Sequence, residues 1–333
     1  MSPPLVSVIM PVHDAALYLG AAMRSVLTQK LGNLELIVVD DASTDGSSEI
    51  ARGFSDPRLR LFRSELPVNA AGARNLALAE ARGAFIAFLD ADDIATPRWL
   101  AHQIDFLRRT PTVGVVASRL ILIDEQGRPR GSAFKKRSPH EIPATLLFEN
   151  CLPLSSSTVR RSLVEPFRPE FAPAEDYELW TRLTPKGGFA VEGRLLVRYR
   201  VHGASVSARQ PERMQAAVAA IHALQLDRLG FRQVPVIHAQ LAAWPLDPTM
   251  GALAEAEAWL LALAAANDRR GCYGRDPFHR VLSARWFSAC LDSWQLGWPV
   301  WNVYHQSPLA APSVARRLLL LRRLLPQRLR ARP

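Results

Sequence analysis

The sequence predicts an α/β fold, a mostly parallel sheet flanked by helices with a C-terminal helical region. Three observations carry this. Over the first 120 residues short apolar runs alternate with amphipathic stretches, those stretches are long enough for the crossovers that parallel strands need, and from about residue 208 the pattern changes to long Ala- and Leu-rich helical segments.

Residues 5–10, 34–39, 59–62, 85–89 and 113–117 read as strands, each short, apolar and bounded by Pro, Gly or Asp. Residues 15–28, 43–53, 70–82 and 97–109 read as the helices between them, with Pro97 placed for a first helical turn after Thr96. Further on, 214–229, 235–243, 250–266 and 279–294 are helical. The expected organisation is one domain over 1–207 and a helical region over 208–333.

With 333 residues, 48% hydrophobic and 22% charged, the chain has ordinary globular composition and length for a large core. Its three cysteines are too few and too widely spaced for a disulfide framework or a cysteine-based zinc cluster, so a reducing compartment is expected. The amino terminus lacks the pattern of a secretion signal, and no apolar run approaches the ~20 residues of a membrane-spanning helix. A soluble or peripheral protein in the cytoplasm is expected. The net charge is +10, but residues beyond Asp292 hold seven arginines and no carboxylate, so most of it is local to that end. Such a distribution does not argue for a nucleic-acid groove across the whole protein, and no nucleic-acid partner is expected.

Parallel sheets bind ligands beyond the carboxyl ends of their strands. There the chain places Pro11-Val12-His13-Asp14, then Asp40-Asp41-Ala42-Ser43-Thr44-Asp45, then Asp90-Ala91-Asp92-Asp93. A tight turn can aim Asp90 and Asp92 at one point, an arrangement favoured when Mg²⁺ or Mn²⁺ sits between them with phosphate oxygens as further ligands. Alternatively, Asp92 and Asp93 cap the helix that starts near Pro97. For the second cluster, capping explains Ser43 and Asp45 but leaves Asp41 over, a strand-end carboxylate able to accept from a base or a ribose.

Taken together these segments, with Gly72-Ala73-Arg74-Asn75, Ala174-Glu175-Asp176-Tyr177-Glu178-Leu179-Trp180 and Tyr199-Arg200-Val201-His202, resemble the family-2 glycosyltransferases, inverting enzymes of the GT-A type. The resemblance spans roughly 5–207 and implies a Rossmann-like sheet and a nucleoside-diphosphate sugar donor, with UDP the leading nucleotide. It also implies roles. Pro11 and His13 would lie along the nucleotide sugar, Asp41 would hold the base, Arg74 would lie near base or phosphate, and Asp90 would face the ribose. Asp92 would bind the metal, with His202 a further ligand, and Asp176 would be the general base supported by Glu175. The acceptor would be a glycan or glycolipid in cell-surface polysaccharide synthesis. One departure is Ala42, where the family usually has Gly.

A nucleotidyltransferase also wants paired aspartates and a divalent ion, but usually has a Gly-rich basic loop that Pro11-Val12-His13-Asp14 does not supply. A dinucleotide oxidoreductase lacks the same loop, and Ser155-Ser156-Ser157 lacks the glycines of a nucleophile elbow. A catalytically silent sugar-nucleotide scaffold would have lost the base or the metal carboxylates. Asp176, Asp90 and Asp92 are all present. In the tail, Val314, Leu318, Leu321 and Leu325 share one helical stripe with arginines opposite and at its flanks. That segment reads either as a helix on an anionic membrane surface, peripheral on the inner face, or as a packed terminal helix. Trp294, Trp298, Trp301 and Tyr304 upstream suit a lipid interface or a core.

Overall fold

The computed structural model describes residues 3–203, 210–243 and 246–324. Its first unit holds residues 1–142 and 150–218, and its second 143–149 and 219–333. The expected boundary at 207 and 208 lies outside the described residues.

In the first unit, β1 (Val6–Val12), β2 (Leu34–Asp41) and β3 (Leu59–Ser64) pair in parallel, and β4 (Phe85–Phe88) joins the other side of β1, also in parallel. Then come β5 (Ile94–Ala95), β6 (Val113–Ile123), β7 (Pro129–Ala133), β8 (Thr158–Arg160) and β9 (Gly188–Arg200). The sheet order is β3-β2-β1-β4-β8-β6-β9-β5, with β7 beside β6. β8 is inserted antiparallel between β4 and β6, while β6 and β9 run parallel. β1 and β2 are buried along their whole length, as expected of parallel strands covered on both faces. β1 runs two residues past the expected end, through Pro11. The β4 ladder has already stopped at Ile9 and Phe88, so the missing proline N–H costs no bond there.

The crossover helices are α1 (Ala16–Leu27), α2 (Ser47–Arg52), α3 (Asn69–Glu80) and α4 (Trp99–Arg109). α1 buries Leu19, Ala22, Met23 and Val26, the i, i+3, i+4, i+7 stripe of an amphipathic helix. Its opening N–H groups are satisfied from the neighbouring loop. Asp45 Oδ2 accepts from Ala16, Ser47 Oγ from Ala15 and Ser43 Oγ from Asp14. Ser43 thus acts at the start of α1, while Asp45 serves both helices: the N-cap residue of α2, Gly46, makes no side-chain bond, but Asp45 Oδ1 accepts from the N–H of Ser47, the first residue of α2, at 3.1 Å.

The second unit begins within α5 (Ile142–Thr145) and continues after α6 (Glu175–Leu183), which belongs to the first. It comprises the later part of α7 (Pro211–Arg228), then α8 (Val236–Ala243), α9 (Met250–Arg270), α10 (Arg275–Asp292), α11 (Trp298–Gln306) and α12 (Val314–Leu324). Leu253, Leu260, Leu263, Phe278, Leu282, Trp286 and Tyr304 form its core together with Leu147 and Phe148. α9 is bounded by Thr249, whose hydroxyl accepts from Ala252 N–H, and by Gly271 at φ +65°, a left-handed conformation that glycine adopts cheaply. Among the described residues no helix is long and apolar enough to cross a membrane.

Candidate active site

The ends of β1 and β2 form the first wall of the site. His13 Nδ1 donates to the Asp41 carbonyl at 2.6 Å, and Asp41 Oδ1 accepts from Val68 N–H at 2.7 Å. Gly72 permits the second contact, because a Cβ there would lie 2.8 Å from Val68 Cβ. Asp41 is buried, whereas His13 is exposed. Asp40 has a different task. Its carboxylate accepts from Ser43 N–H at 3.0 Å and from the Ser48 hydroxyl, with Arg63 at 3.3 Å. Burial alone would raise its pKa, but these hydrogen bonds and the guanidinium outweigh burial and hold it below the ordinary value. Directly after Asp41, Ala42 sits at φ +54°, which explains why glycine is the cheaper residue in this turn.

The Asp90–Asp93 turn is fastened by groups other than the Asp90 and Asp92 carboxylates. Asp93 is fully buried and accepts from Arg200 N–H at 2.9 Å and from the Ser155 hydroxyl, while Ser155 Oγ accepts from Asp90 N–H at 3.0 Å. Arg200 also donates from Nε to the Asp92 carbonyl at 3.0 Å and from Nη1 to the carbonyls of Asp124 and Glu125, with its guanidinium 4.3 Å above Tyr18. The capping alternative is therefore corrected: α4 starts at Trp99 without a side-chain cap, and Asp93 is spent inside the turn. His202, just past β9, donates from Nε2 to Asp92 Oδ2 at 2.8 Å. Burial, then the charge on Asp90, pushes the Asp92 carboxyl above its usual value.

Arg74, on α3, is buried between two carboxylates. It donates to Asp90 Oδ1 at 2.8 Å and to Glu175 Oε1 at 2.6 Å. Burial works against its charge, but Asp90 and Glu175 overcome that and raise its pKa above the ordinary arginine value. Arg74 Nε and Glu175 Oε2 are buried without a protein partner. Asn75 next to it brackets Phe167 through both the N–H and the carbonyl of that residue, fixing the segment that leads into α6.

Asp176 lies in the first turn of α6. Its Oδ1 accepts from Tyr177 N–H at 2.7 Å and its Oδ2 from Asn150 Nδ2 at 2.8 Å, while Asn150 Oδ1 accepts from Leu152 N–H at 3.2 Å. Desolvation first, and the neighbouring Glu175 second, push Asp176 up to about 7 against the pull of Arg74 and these hydrogen bonds. Such a carboxyl can take and release a proton near neutrality. Asn150, Ser155 and Arg200 were not singled out in the sequence. Asn150 carries no signal there, while Arg200 lies within the Tyr199-Arg200-Val201-His202 motif and Ser155 within a serine run that lacks the glycines of a nucleophile elbow.

Among the described residues no group of three or more His, Cys, Asp and Glu side chains forms a metal cage. Asp92 and His202 instead present one carboxylate and one imidazole, a donor set that suits Mn²⁺ or Mg²⁺ when phosphate oxygens and water complete the shell. The crowded charges of Asp90 and Asp92 on one turn would be relieved by that cation. The residues fit a metal shared with a diphosphate.

An open α/β sheet with three acidic strand ends and a half-buried carboxyl raised towards neutrality suits a group-transfer enzyme. Residues 7–158 match the family model Glycosyl transferase family 2. The Escherichia coli enzyme UDP-Glc:alpha-D-GlcNAc-diphosphoundecaprenol beta-1,3-glucosyltransferase WfgD is 34% identical over 209 residues, 62% of this chain and 81% of that one. Among solved structures, S. aureus TarS 1-349 in complex with UDP superposes with a TM-score of 0.53 at 18% identity, covering 90% of this chain and 91% of TarS 1-349. The mannosyltransferase PcManGT from Pyrobaculum calidifontis, in complex with GDP-Man and Mn²⁺, gives 0.50 at 19% identity, covering 88% of each chain. At such identities the structural likeness is one of fold, here the GT-A type. The chain belongs to glycosyl transferase family 2.

Proposed function

We propose that this glycosyltransferase moves a sugar from a nucleoside-diphosphate donor, with UDP as the nucleotide, to an acceptor hydroxyl with inversion at the anomeric carbon. The observation that carries the reading is Asp176, a single carboxyl poised near neutrality beside the Arg74, Glu175 and Asp90 network. Asp176 takes the proton of the acceptor hydroxyl as its oxygen forms the new bond to the anomeric carbon. The bond from that carbon to the diphosphate oxygen breaks, and the nucleoside diphosphate leaves with the electron pair. One base on the side opposite the leaving group gives inversion.

Asp41 holds the base of the nucleotide, with Pro11 and His13 along the donor and Asp90 at the ribose. Arg74 keeps the Asp90 and Glu175 carboxylates in place and lies near the base or phosphate of the donor. Asp92 and His202 would hold Mg²⁺ or Mn²⁺, which when bound offsets the charge of the diphosphate. The acceptor class follows from the WfgD relative, whose name gives a diphosphoundecaprenol-linked sugar. A lipid-linked glycan at the cytoplasmic face of a membrane, in cell-surface polysaccharide synthesis, is the acceptor proposed. Incubating the protein with a panel of nucleotide sugars and Mn²⁺ should release nucleoside diphosphate slowly from UDP-sugars, read by luminescence. Release from none of them would leave the scaffold reading in its place.

Asn150 tunes this base. Its amide bonds the charged form of Asp176, so Asn150→Ala should raise the Asp176 pKa and move the acid limb of kcat/KM upward by about one pH unit, since such a bond is worth about 1.5 kcal/mol. A limb left where it was, at about 7, would make Asn150 a bystander.

A further inference from the structure

α12 carries Arg316, Arg317, Arg322 and Arg323 in a part of the chain with no carboxylate after Asp292. One side of the helix is engaged by its own unit. Leu320 is fully buried in the helical core, Leu324 packs against that core, and Arg316 donates to Ser283 Oγ at 3.2 Å beneath the ring of Phe287. Positions 316, 320 and 324 are spaced i, i+4, i+8, so they form one stripe.

At 100° per residue the opposite side bears Val314, Leu318 and Leu319, which are 69%, 59% and 45% exposed. Arg322 lies among them and Arg317 at their edge, both exposed. α11, which packs against α12, has an exposed aromatic of its own, Trp298, at 54% exposure. Three large apolar side chains on this side thus lie outside the unit's own core. The packed reading of this segment thus describes one side of the helix. Leu325 and the last three arginines lie outside the described residues.

We propose that the outward side of α12, with Trp298, docks the protein on an anionic lipid surface. Val314, Leu318 and Leu319 enter the boundary between headgroups and acyl chains, and the arginines stay among the headgroups, where each contributes about 1 kcal/mol. With no acidic residue in this part of the chain, nothing there repels the surface. The face goes with the membrane-held acceptor proposed above, yet it is read without any turnover.

The test is sedimentation of the full chain with vesicles of phosphatidylcholine alone or with about 30% phosphatidylglycerol. The protein should pellet with the anionic vesicles only and be released by salt of about 0.5 M. Leu318→Ser with Leu319→Ser, and separately Arg317→Glu with Arg322→Glu, should each weaken binding about tenfold or more while the melting temperature and donor hydrolysis stay unchanged. Four outcomes overturn the proposal: no pelleting with anionic vesicles, equal pelleting with neutral ones, full binding by the leucine variant, or full binding by the arginine variant. If donor hydrolysis is absent while vesicle binding follows the expected pattern, the enzymatic reading fails and the docking face stands.

Discussion

Asp176→Asn should lower kcat by about a hundredfold or more while the dissociation constant for the sugar nucleotide stays within about twofold. An amide cannot accept the acceptor proton, but it has nearly the same shape and still accepts from Tyr177 N–H through its oxygen. The contrast between turnover and donor affinity is diagnostic, because Asp176 is assigned to the acceptor's proton and the donor is held elsewhere. The pH profile adds a second reading. Asp176 must be ionised to act, so kcat/KM of the native enzyme should fall as pH drops through about 7. Glu175→Gln removes the like charge that helps raise Asp176 and should move that limb to lower pH. Collapse of donor binding in Asp176→Asn with turnover surviving at saturation would make the residue a binding or folding group.

The parallel half of the fold was legible because its signals are local. The continuous apolar run Leu36–Ile37–Val38–Val39 ends in Asp40 and Asp41, and helical stripes such as that of α1 follow a period of 3.6. β9 was not legible. Its centre carries Glu192, Gly193 and Arg194, and its register against β6 slips there, so no single alternation runs through its 13 residues. Nor does composition reveal that residues 143–149 join the helical core, since Leu146, Leu147 and Phe148 would suit either unit. At the site, each acidic strand end was readable by itself, but its partner was not. Arg74 meets Glu175 across 101 residues, Asp92 meets His202 across 110, and Asn150 reaches Asp176 on a different segment. Such pairs depend on strand order. The family resemblance supplies the candidate residues, while the structure supplies what fastens them: Ser155 and Arg200 on the acidic turn, Gly72 and Val68 at Asp41.

Asp92→Asn should reduce kcat/KM by roughly a hundredfold or more and abolish the response of nucleotide binding to Mg²⁺ or Mn²⁺, leaving metal-free nucleotide binding nearly unchanged. The fastening of the turn makes this substitution a clean one. Asp93 and Ser155 tie its two ends, and Arg200 holds the Asp92 carbonyl, so the backbone does not depend on the Asp92 carboxylate. The substitution also removes a like charge beside Asp90, so the fold should keep its melting temperature within a few degrees. A loss of activity would therefore report the ligand and not unfolding. His202→Ala serves as the companion measurement. It removes an imidazole but no charge required for the metal, so it should weaken the metal response without abolishing it. Calorimetric titration of nucleoside diphosphate with and without Mn²⁺ reads both variants directly. Full activity of the native enzyme in excess chelator, or an unaltered metal response in Asp92→Asn, would take the cation out of the mechanism and leave the Asp92 and His202 pair as a structural contact.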